Sequence, residues 1–337
     1  MKKVILKDIA QHVGVSTALV SYVLNGQAEE KQVGKEIAEK IKLAAIELNY
    51  RPNQIAKSLK TQKTHTIGLI VADINYKYSS GITRAIEAEA KKKNFNVILG
   101  SSNENSEKFN ELINVLVNRQ VDGLILVPVE KSENSILNLQ KSEIPFVLID
   151  RNFSNILCNS VALDNFKAAY DSTKYLIKTG HKRIAFINYQ TTLFNLLERN
   201  RGYLTALKEY GLEFSESWMP RIKAINYKSE MQKAINQIIS KENNCDAVFF
   251  ATDRLAIYGL KHINALKLKV PEHLSVFSFD EAEAFELFHC PITHARQPFE
   301  KMGRLAVNTL IDLINHNKII NQTYIETEFV IGKSCKE

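Results

Sequence analysis

From Thr66 onward, short apolar runs alternate with stretches of helical period, and this alternation limits the fold more than any other feature of the chain. The runs are THTIGLIVADI, NVILGSS, VDGLILVPV, IPFVLID, NSVALD, RIAFIN, DAVFFAT and LSVFSFD. Between them lie amphipathic stretches at about Ser79–Lys93, Ser106–Arg119, Asn134–Lys141, Asn165–Thr179, Leu197–Tyr210, Lys228–Ser240 and Arg254–Leu266. Such alternation predicts stacked βαβ units with parallel sheets covered on both faces. The repeat divides into two α/β lobes, about 66–150 and 151–290. A last helix at Phe299–Asn315 and a strand at Thr323–Ile331 return to complete the first. Two open α/β sheets place the carboxyl ends of their strands at a shared cleft, where small ligands bind.

The first sixty residues follow another rule. In KDIAQHVGVSTALVSYVLN, Ile9, Ala10 and Val13 form an apolar stripe at helical spacing. Gly14 can leave a helix in the left-handed conformation, and Ser16 is a good N-cap for a second helix. Leu19, Val20, Val23 and Leu24 give that helix a buried face; Thr17, Ala18, Ser21 and Tyr22 lie on the other. This is the helix-turn-helix plan, whose second helix enters the DNA major groove; many such hairpins are only packing units. A third helix, Lys35–Leu48, closes a small core through Ile37, Ile41, Ala44, Ala45 and Leu48, and Pro52 ends it. Gln54–Lys60 then reads either as an ordinary linker or as a short helix that folds on DNA. In the second reading Leu59 is a minor-groove wedge, with Lys57 and Lys60 near phosphates.

Charge follows this division. Residues 1–63 carry 11 Lys and Arg against 6 Asp and Glu, although the whole chain of 337 residues is only +7. A basic head on a nearly neutral body fits a polyanion-binding module joined to something else. The four cysteines, Cys158, Cys245, Cys290 and Cys335, are far apart and indicate neither a zinc site nor a disulfide framework. No apolar signal-peptide core or membrane-spanning run is evident, so a cytoplasmic protein without a membrane role is expected. No nucleophile elbow, phosphate loop or metal-ligand cluster is present, so we expect neither enzyme activity nor a catalytic, cofactor or metal site.

The motifs LKDIAQHVGVS, VSYVLNG, LNYRPNQIAKSLKT, TIGLIVADI, VDGLILVP, GHKRIAFI, ERNRGY, VPEHLSVFSFDE and THARQPFEKMGRLAV resemble, in order and spacing, the lactose-repressor (LacI/GalR) family of bacterial transcription regulators. The resemblance spans essentially the full length. It implies an α/β chain of three parts: a three-helix helix-turn-helix head (residues 1–52), a hinge helix and linker (53–65), and a two-lobed core like a periplasmic sugar-binding protein (66–337). A homodimer would bind a pseudo-palindromic double-stranded operator, and a small-molecule effector in the core would change operator affinity through the hinge. The competing reading is a sugar-binding receptor without DNA function.

Carried over residue by residue, the resemblance assigns DNA contacts to Ser16, Thr17, Ala18, Ser21, Tyr22 and Asn25 in the head. In the hinge it assigns them to Ala56, Lys57, Leu59 and Lys60. The family most often has Arg where this chain has Tyr22, so the operator is expected to differ there; the alternative for Tyr22 is a phosphate contact. Effector contacts fall on Asp73, Tyr76, Tyr78, Asp164, Arg199, Tyr227 and Asp253. Arg199 reads as a ligand clamp or an interlobe salt bridge, and Tyr227 as a ligand-facing ring or core. Thr252 replaces the Asn of the family's Asn-Asp pair. The loop Asn75–Ser79 lacks the family's Pro and gains Lys77, which meets either an anionic ligand or water. A sugar or derivative is the default effector, with phosphorylated sugars, nucleosides and nucleobases open, and a protein coeffector is a further input. The sign of regulation is not legible. The chain stops soon after its last strand, without the leucine heptad of tetrameric members, so a dimer is expected.

Overall fold

The computed structural model describes residues 4–51, 63–317 and 319–336 and divides into two compact units, one up to Thr64 and one from His65. The expected hinge contacts Ala56, Lys57, Leu59 and Lys60 lie outside the described residues.

The first unit holds α1 (Leu6–Val13), α2 (Thr17–Leu24) and α3 (Lys35–Glu47). The Asp8 carboxylate accepts the Ile5 backbone N–H at 2.8 Å and starts α1. Gly14 ends it at φ 76°, where a side chain would be strained. Ser16 caps α2, its Oγ accepting the Leu19 N–H at 3.2 Å. Ile9, Ala10, Val20, Val23, Ala38, Ile41, Ala44 and Ala45 form the buried core, with Leu19, Leu24, Ile37 and Leu48 packed around it.

The second unit contains two six-stranded sheets. Strands β1 (Thr66–Val71), β2 (Asn96–Ser101), β3 (Gly123–Leu126), β4 (Phe146–Ile149) and β5 (Ser160–Leu163) join β11 (Gln322–Ile325) in the order β11-β5-β4-β3-β1-β2, all parallel. Helices α4 (Lys77–Lys92), α5 (Ser106–Asn118) and α6 (Glu133–Lys141) connect the first four strands. The second sheet has the order β12-β10-β9-β8-β6-β7. Its strands are β6 (Ile184–Tyr189), β7 (Arg221–Ile222), β8 (Ala247–Phe250), β9 (Ser275–Phe279), β10 (Thr293–Arg296) and β12 (Glu328–Val330), and only β12 runs antiparallel to its neighbour. Around it lie α7 (Asn165–Lys178), α8 (Phe194–Glu209), α9 (Tyr227–Ile238) and α10 (Asp253–Ala265); α11 (Phe299–Ile314) belongs to the first sheet. Strands β1, β3, β4, β8 and β9 are buried almost throughout, as expected of parallel sheets covered on both faces.

Two details differ from the sequence reading. Ser160–Leu163 was expected to open the second lobe, but Leu148 and Ile149 pair in parallel with Ser160 and Val161, so β5 extends the first sheet past residue 150. The single strand expected at Thr323–Ile331 is two strands in different sheets, because the chain crosses over at Glu326–Thr327. The chain therefore passes between lobes three times, after Leu163, after Arg296 and after Ile325.

One close approach fixes the second lobe. A Cβ on Gly202 would lie 2.3 Å from the Phe166 carbonyl oxygen and 2.8 Å from the Tyr170 nitrogen, so α8 rests on the backbone of α7. One turn away, Arg199 Nε donates to Asn165 Oδ1 across the same two helices at 2.8 Å.

Candidate functional site

In the head, α2 presents a polar face away from its core. Thr17, Ala18, Tyr22 and Asn25 are exposed and Ser21 half-buried. The Lys31 ammonium stands 5.9 Å from the Tyr22 ring and adds positive charge to this face. Asn25 spends its amide hydrogens locally, donating to Ser21 O at 2.8 Å and Ser21 Oγ at 3.2 Å, which leaves its carbonyl oxygen as the group to offer a partner.

In the core, polar groups gather between the lobes at the carboxyl ends of the strands. Arg199, on α8, is 2% exposed. Besides its bond to Asn165, its Nη1 donates to Ala251 O at 2.6 Å, and its guanidinium lies 3.4 Å from the centre of the Phe279 ring. Both protein partners belong to the second lobe, so the arrangement is a locally held guanidinium rather than a salt bridge between lobes. Asp150 follows β4 and Asp280 follows β9, and both adopt positive φ, 69° and 67°. Aspartate tolerates that conformation better than most residues. Burial pushes the Asp150 carboxyl up to about 6, against the opposing pull of Arg151 and Arg199. It pushes Asp280 to about 7, again against Arg199. Gln297 donates to Asp280 Oδ1 at 2.6 Å. Arg151 is held by both oxygens of Glu104, at 2.7 and 2.9 Å, while its Nε stays 3.7 Å from Asp150.

Several buried polar atoms have no hydrogen-bond partner among the described residues: Tyr78 OH, Arg151 Nε, Gln297 Oε1 and Asn195 Oδ1. The Tyr78 hydroxyl feels the charges of Asp150 and Asp280, and burial holds its proton on well above the usual phenol range. Unpaired buried polar atoms are costly, and three of these, on Tyr78, Arg151 and Gln297, belong to side chains that interact with Asp150 or Asp280.

The expected effector contacts separate into groups. Tyr78 and Arg199 belong to this buried centre. Asp253, which burial pushes up, also interacts with Arg199 and leads outward. With Tyr76, Lys77, Arg254, Ile257 and Tyr258 it lines a cavity of about 500 Å³. Tyr227 is not in its lining but touches two residues that are: the Tyr258 hydroxyl donates to the Tyr227 oxygen at 3.0 Å, and the Arg254 guanidinium lies 4.7 Å from the Tyr227 ring. Lys77 meets Glu281 of the other lobe at 3.5 Å. Asp164 is set apart. It caps α7, accepting the Lys167 N–H at 2.8 Å, and lines a separate cavity of about 250 Å³ with Asn152, Phe166, Arg201 and Tyr324. Asp73 closes a turn by accepting two donors of Asn75 at 2.9 Å. Asp150 and Asp280 were missed in the sequence, although both end apolar strand runs, IPFVLID and LSVFSFD, at the expected cleft. Gln297 and Asn195 carry no comparable signal.

Residues 5–53 match the family described as bacterial regulatory proteins, lacI family. Residues 64–333 match the periplasmic binding proteins and sugar binding domain of LacI family. The chain belongs to the LacI family. It is 31% identical over 98% of both chains to the HTH-type transcriptional repressor PurR of Pasteurella multocida. Among solved structures it resembles the transcriptional regulator CelR in complex with cellobiose, with TM-score 0.73, 26% identity, and coverage of 98% of this chain and 100% of that one. The Lac repressor dimer bound to operator and the anti-inducer ONPF shares the fold, with TM-score 0.87, 21% identity and 99% coverage of each chain. As a LacI-family protein it is an effector-responsive, DNA-binding regulator of transcription and not an enzyme. Among the described residues no helix is long and apolar enough to cross a membrane, and no cluster of His, Cys, Asp and Glu is arranged to hold a metal.

Proposed function

We propose that this LacI-family protein is a repressor whose affinity for a pseudo-palindromic operator changes when a neutral polyol, a sugar or sugar derivative, binds between the lobes of its core. The observation that carries the effector class is the gathering of Asp150, Asp253 and Asp280 with Arg199 around one buried centre. Carboxylates accept from hydroxyl groups, and a guanidinium fork donates to them, so vicinal hydroxyls satisfy both. A phosphorylated ligand would bring more negative charge to three acids, and a largely apolar one would leave them unpaired. The cellobiose complex of CelR fits the effector class, and the repressor PurR fits the sign of regulation.

In the head, Thr17, Ala18 and Tyr22 read base edges, and Ser16, Ser21 and Asn25 position the helix on phosphates. In the hinge, Ala56 allows two copies to approach, Leu59 enters the minor groove, and Lys57 and Lys60 meet phosphates. A homodimer is supported by exposed apolar side chains on edge strand β2 and on α5, Ile98, Leu99 and Val115, which a second copy would cover. DNA-bound regulators of this kind act in the cytoplasm. The effector shifts operator affinity only by as much as it prefers one arrangement of the lobes.

The test is binding of the full chain to labelled operator-like duplexes across a salt series, with and without saccharides. A steep fall with salt and a saccharide-dependent shift are expected. Arg199→Ala should remove the shift and leave DNA binding intact. No sequence-selective binding under any condition would sink the proposal.

A further inference from the structure

The two sides of the cleft between the lobes are unequal. On one side Glu130, from the first lobe, accepts from Thr191 Oγ1 at 2.5 Å and from the Thr192 N–H at 2.6 Å, both in the second lobe. This bridge draws the lobes together and leaves a cavity of about 140 Å³ beside Arg151, Asn152, Phe153 and Phe194. On the other side the cavity lined by Tyr76, Asp253, Arg254 and Tyr258 reaches about 500 Å³. Sites for small organic ligands usually span ~300–1,000 Å³; the second side lies in that range, while the first is divided between the cavity of about 140 Å³ and the one of about 250 Å³ that shares Asn152 and Phe194 with it. Asp253 joins that side to the buried centre, since its charge acts on both Arg199 and Asp280.

The outer cavity has the surfaces that a sugar ring uses. The Arg254 guanidinium stands 4.7 Å from the Tyr227 ring on its own lobe and 5.5 Å from the Tyr76 ring on the other. Tyr258 packs against Tyr227 with ring centres 4.5 Å apart. Flat aromatic and guanidinium faces stack on the C–H faces of a pyranose, while the phenol hydroxyls and guanidinium edge bond its hydroxyls. Charge sets no contrary demand, because Lys77 is matched by Glu281 and Arg254 by Asp253 and the tyrosine rings.

We propose that the effector is a glycoside of at least two rings, one held at Arg199, Asp150 and Asp280 and the next stacked on the Arg254–tyrosine surface. Arg254 is then the residue that selects for chain length. This rests on the neutral-polyol reading of the same cleft and extends it.

The experiment is calorimetric titration of the full chain with glucose, galactose and mannose, and with cellobiose, maltose, lactose and melibiose. At least one disaccharide should bind about tenfold or more tightly than its component monosaccharides. Arg254→Ala removes a flat stacking face and its hydrogen-bond donors from the outer cavity, so it should weaken that disaccharide about tenfold and leave monosaccharide affinity within about twofold. Arg199→Ala should abolish both. Ser80→Trp provides a second probe: Ser80 is exposed on α4 and lines the outer cavity, so an indole there should exclude the disaccharide and spare the monosaccharide. Monosaccharides binding as tightly as disaccharides, or Arg254→Ala weakening both equally, would overturn the two-ring site and leave the polyol reading standing. Binding to none of these sugars would overturn both.

Discussion

Replacing Gly202 by Ala tests the geometry on which Arg199 depends. The added Cβ would sit 2.3 Å from the Phe166 oxygen, 2.8 Å from the Tyr170 nitrogen and 3.1 Å from the Ala169 Cβ. Two of these neighbours are backbone atoms of α7, so no side chain can swing aside, and α8 must retreat by about 1 Å to reach ordinary van der Waals contact. Overpacking of this kind costs ~1–3 kcal/mol, towards the top of the range for backbone. The change also gains about 1 kcal/mol, because Ala is the better helix former. The net loss is then about 1–2 kcal/mol, and for a core of this size the melting temperature should fall by roughly 2–8 °C. The same retreat lengthens the 2.8 Å bond from Arg199 to Asn165, so effector binding should weaken as well. Thermal unfolding followed by circular dichroism gives the first quantity and calorimetric titration the second. Gly81→Ala is the comparison, since there the three nearest atoms, at 2.6 to 3.3 Å, all belong to the Phe299 side chain rather than to backbone. An unchanged or raised melting temperature for Gly202→Ala would refute the close-approach argument.

Other outcomes follow from the same structure. Asp150 and Asp280 titrate near 6 and 7 in the folded core, above the ordinary aspartate value, so between about pH 4 and 7 the folded state binds more protons than the unfolded one. The stability these two groups contribute should fall as pH rises from about 4 to 7, by about 1 kcal/mol per pH unit for each group the fold keeps protonated, and level off above 7; Asp150→Asn with Asp280→Asn should flatten the profile, and a melting temperature that rises between about pH 5 and 7 contradicts the assignment. Tyr203 is fully buried and donates to Ile184 O at 2.7 Å, so Tyr203→Phe should cost about 1 kcal/mol in urea denaturation, and no loss would mean that bond is idle. Leu59→Ala should weaken operator binding in a mobility assay while saccharide affinity stays intact; equal operator affinity removes the wedge role.

What the sequence revealed depended on how local the cause was. The head was legible because Gly14, Ser16 and the stripes of its helices act within a few residues of each other. The parallel sheets were legible because buried strands must be apolar throughout. Which sheet a strand joins is a long-range fact: nothing in NSVALD distinguishes a fifth strand of the first sheet from a first strand of the second. Glu326 and Thr327 likewise look like strand interior until their neighbours are known to belong to different sheets. Arg199 was singled out from its motif, and the structure places it in the buried centre. Asp150 and Asp280 needed the strand-end rule applied to every strand, and that rule alone also selects Asp164, which caps a helix beside a different cavity. Gln297 matters only because a bend in the chain brings it to Asp280, 17 positions away.

The three passages between the lobes have a mechanical consequence. A single connection would act as a swivel, free to twist in any direction. Three short ones, on neighbouring strands at one side of the sheets, oppose sliding and twisting and leave rotation about their common line as the soft motion. That line is a fulcrum, and two residues at it, Asp164 and Gln297, face the cavities between the lobes or hold Asp280. A rotation about that line moves groups beside it little and the far ends of the lobes much. The core is built as a lever with its short arm at Asp164 and Gln297, so that a small displacement there becomes a larger one at the far ends of the sheets.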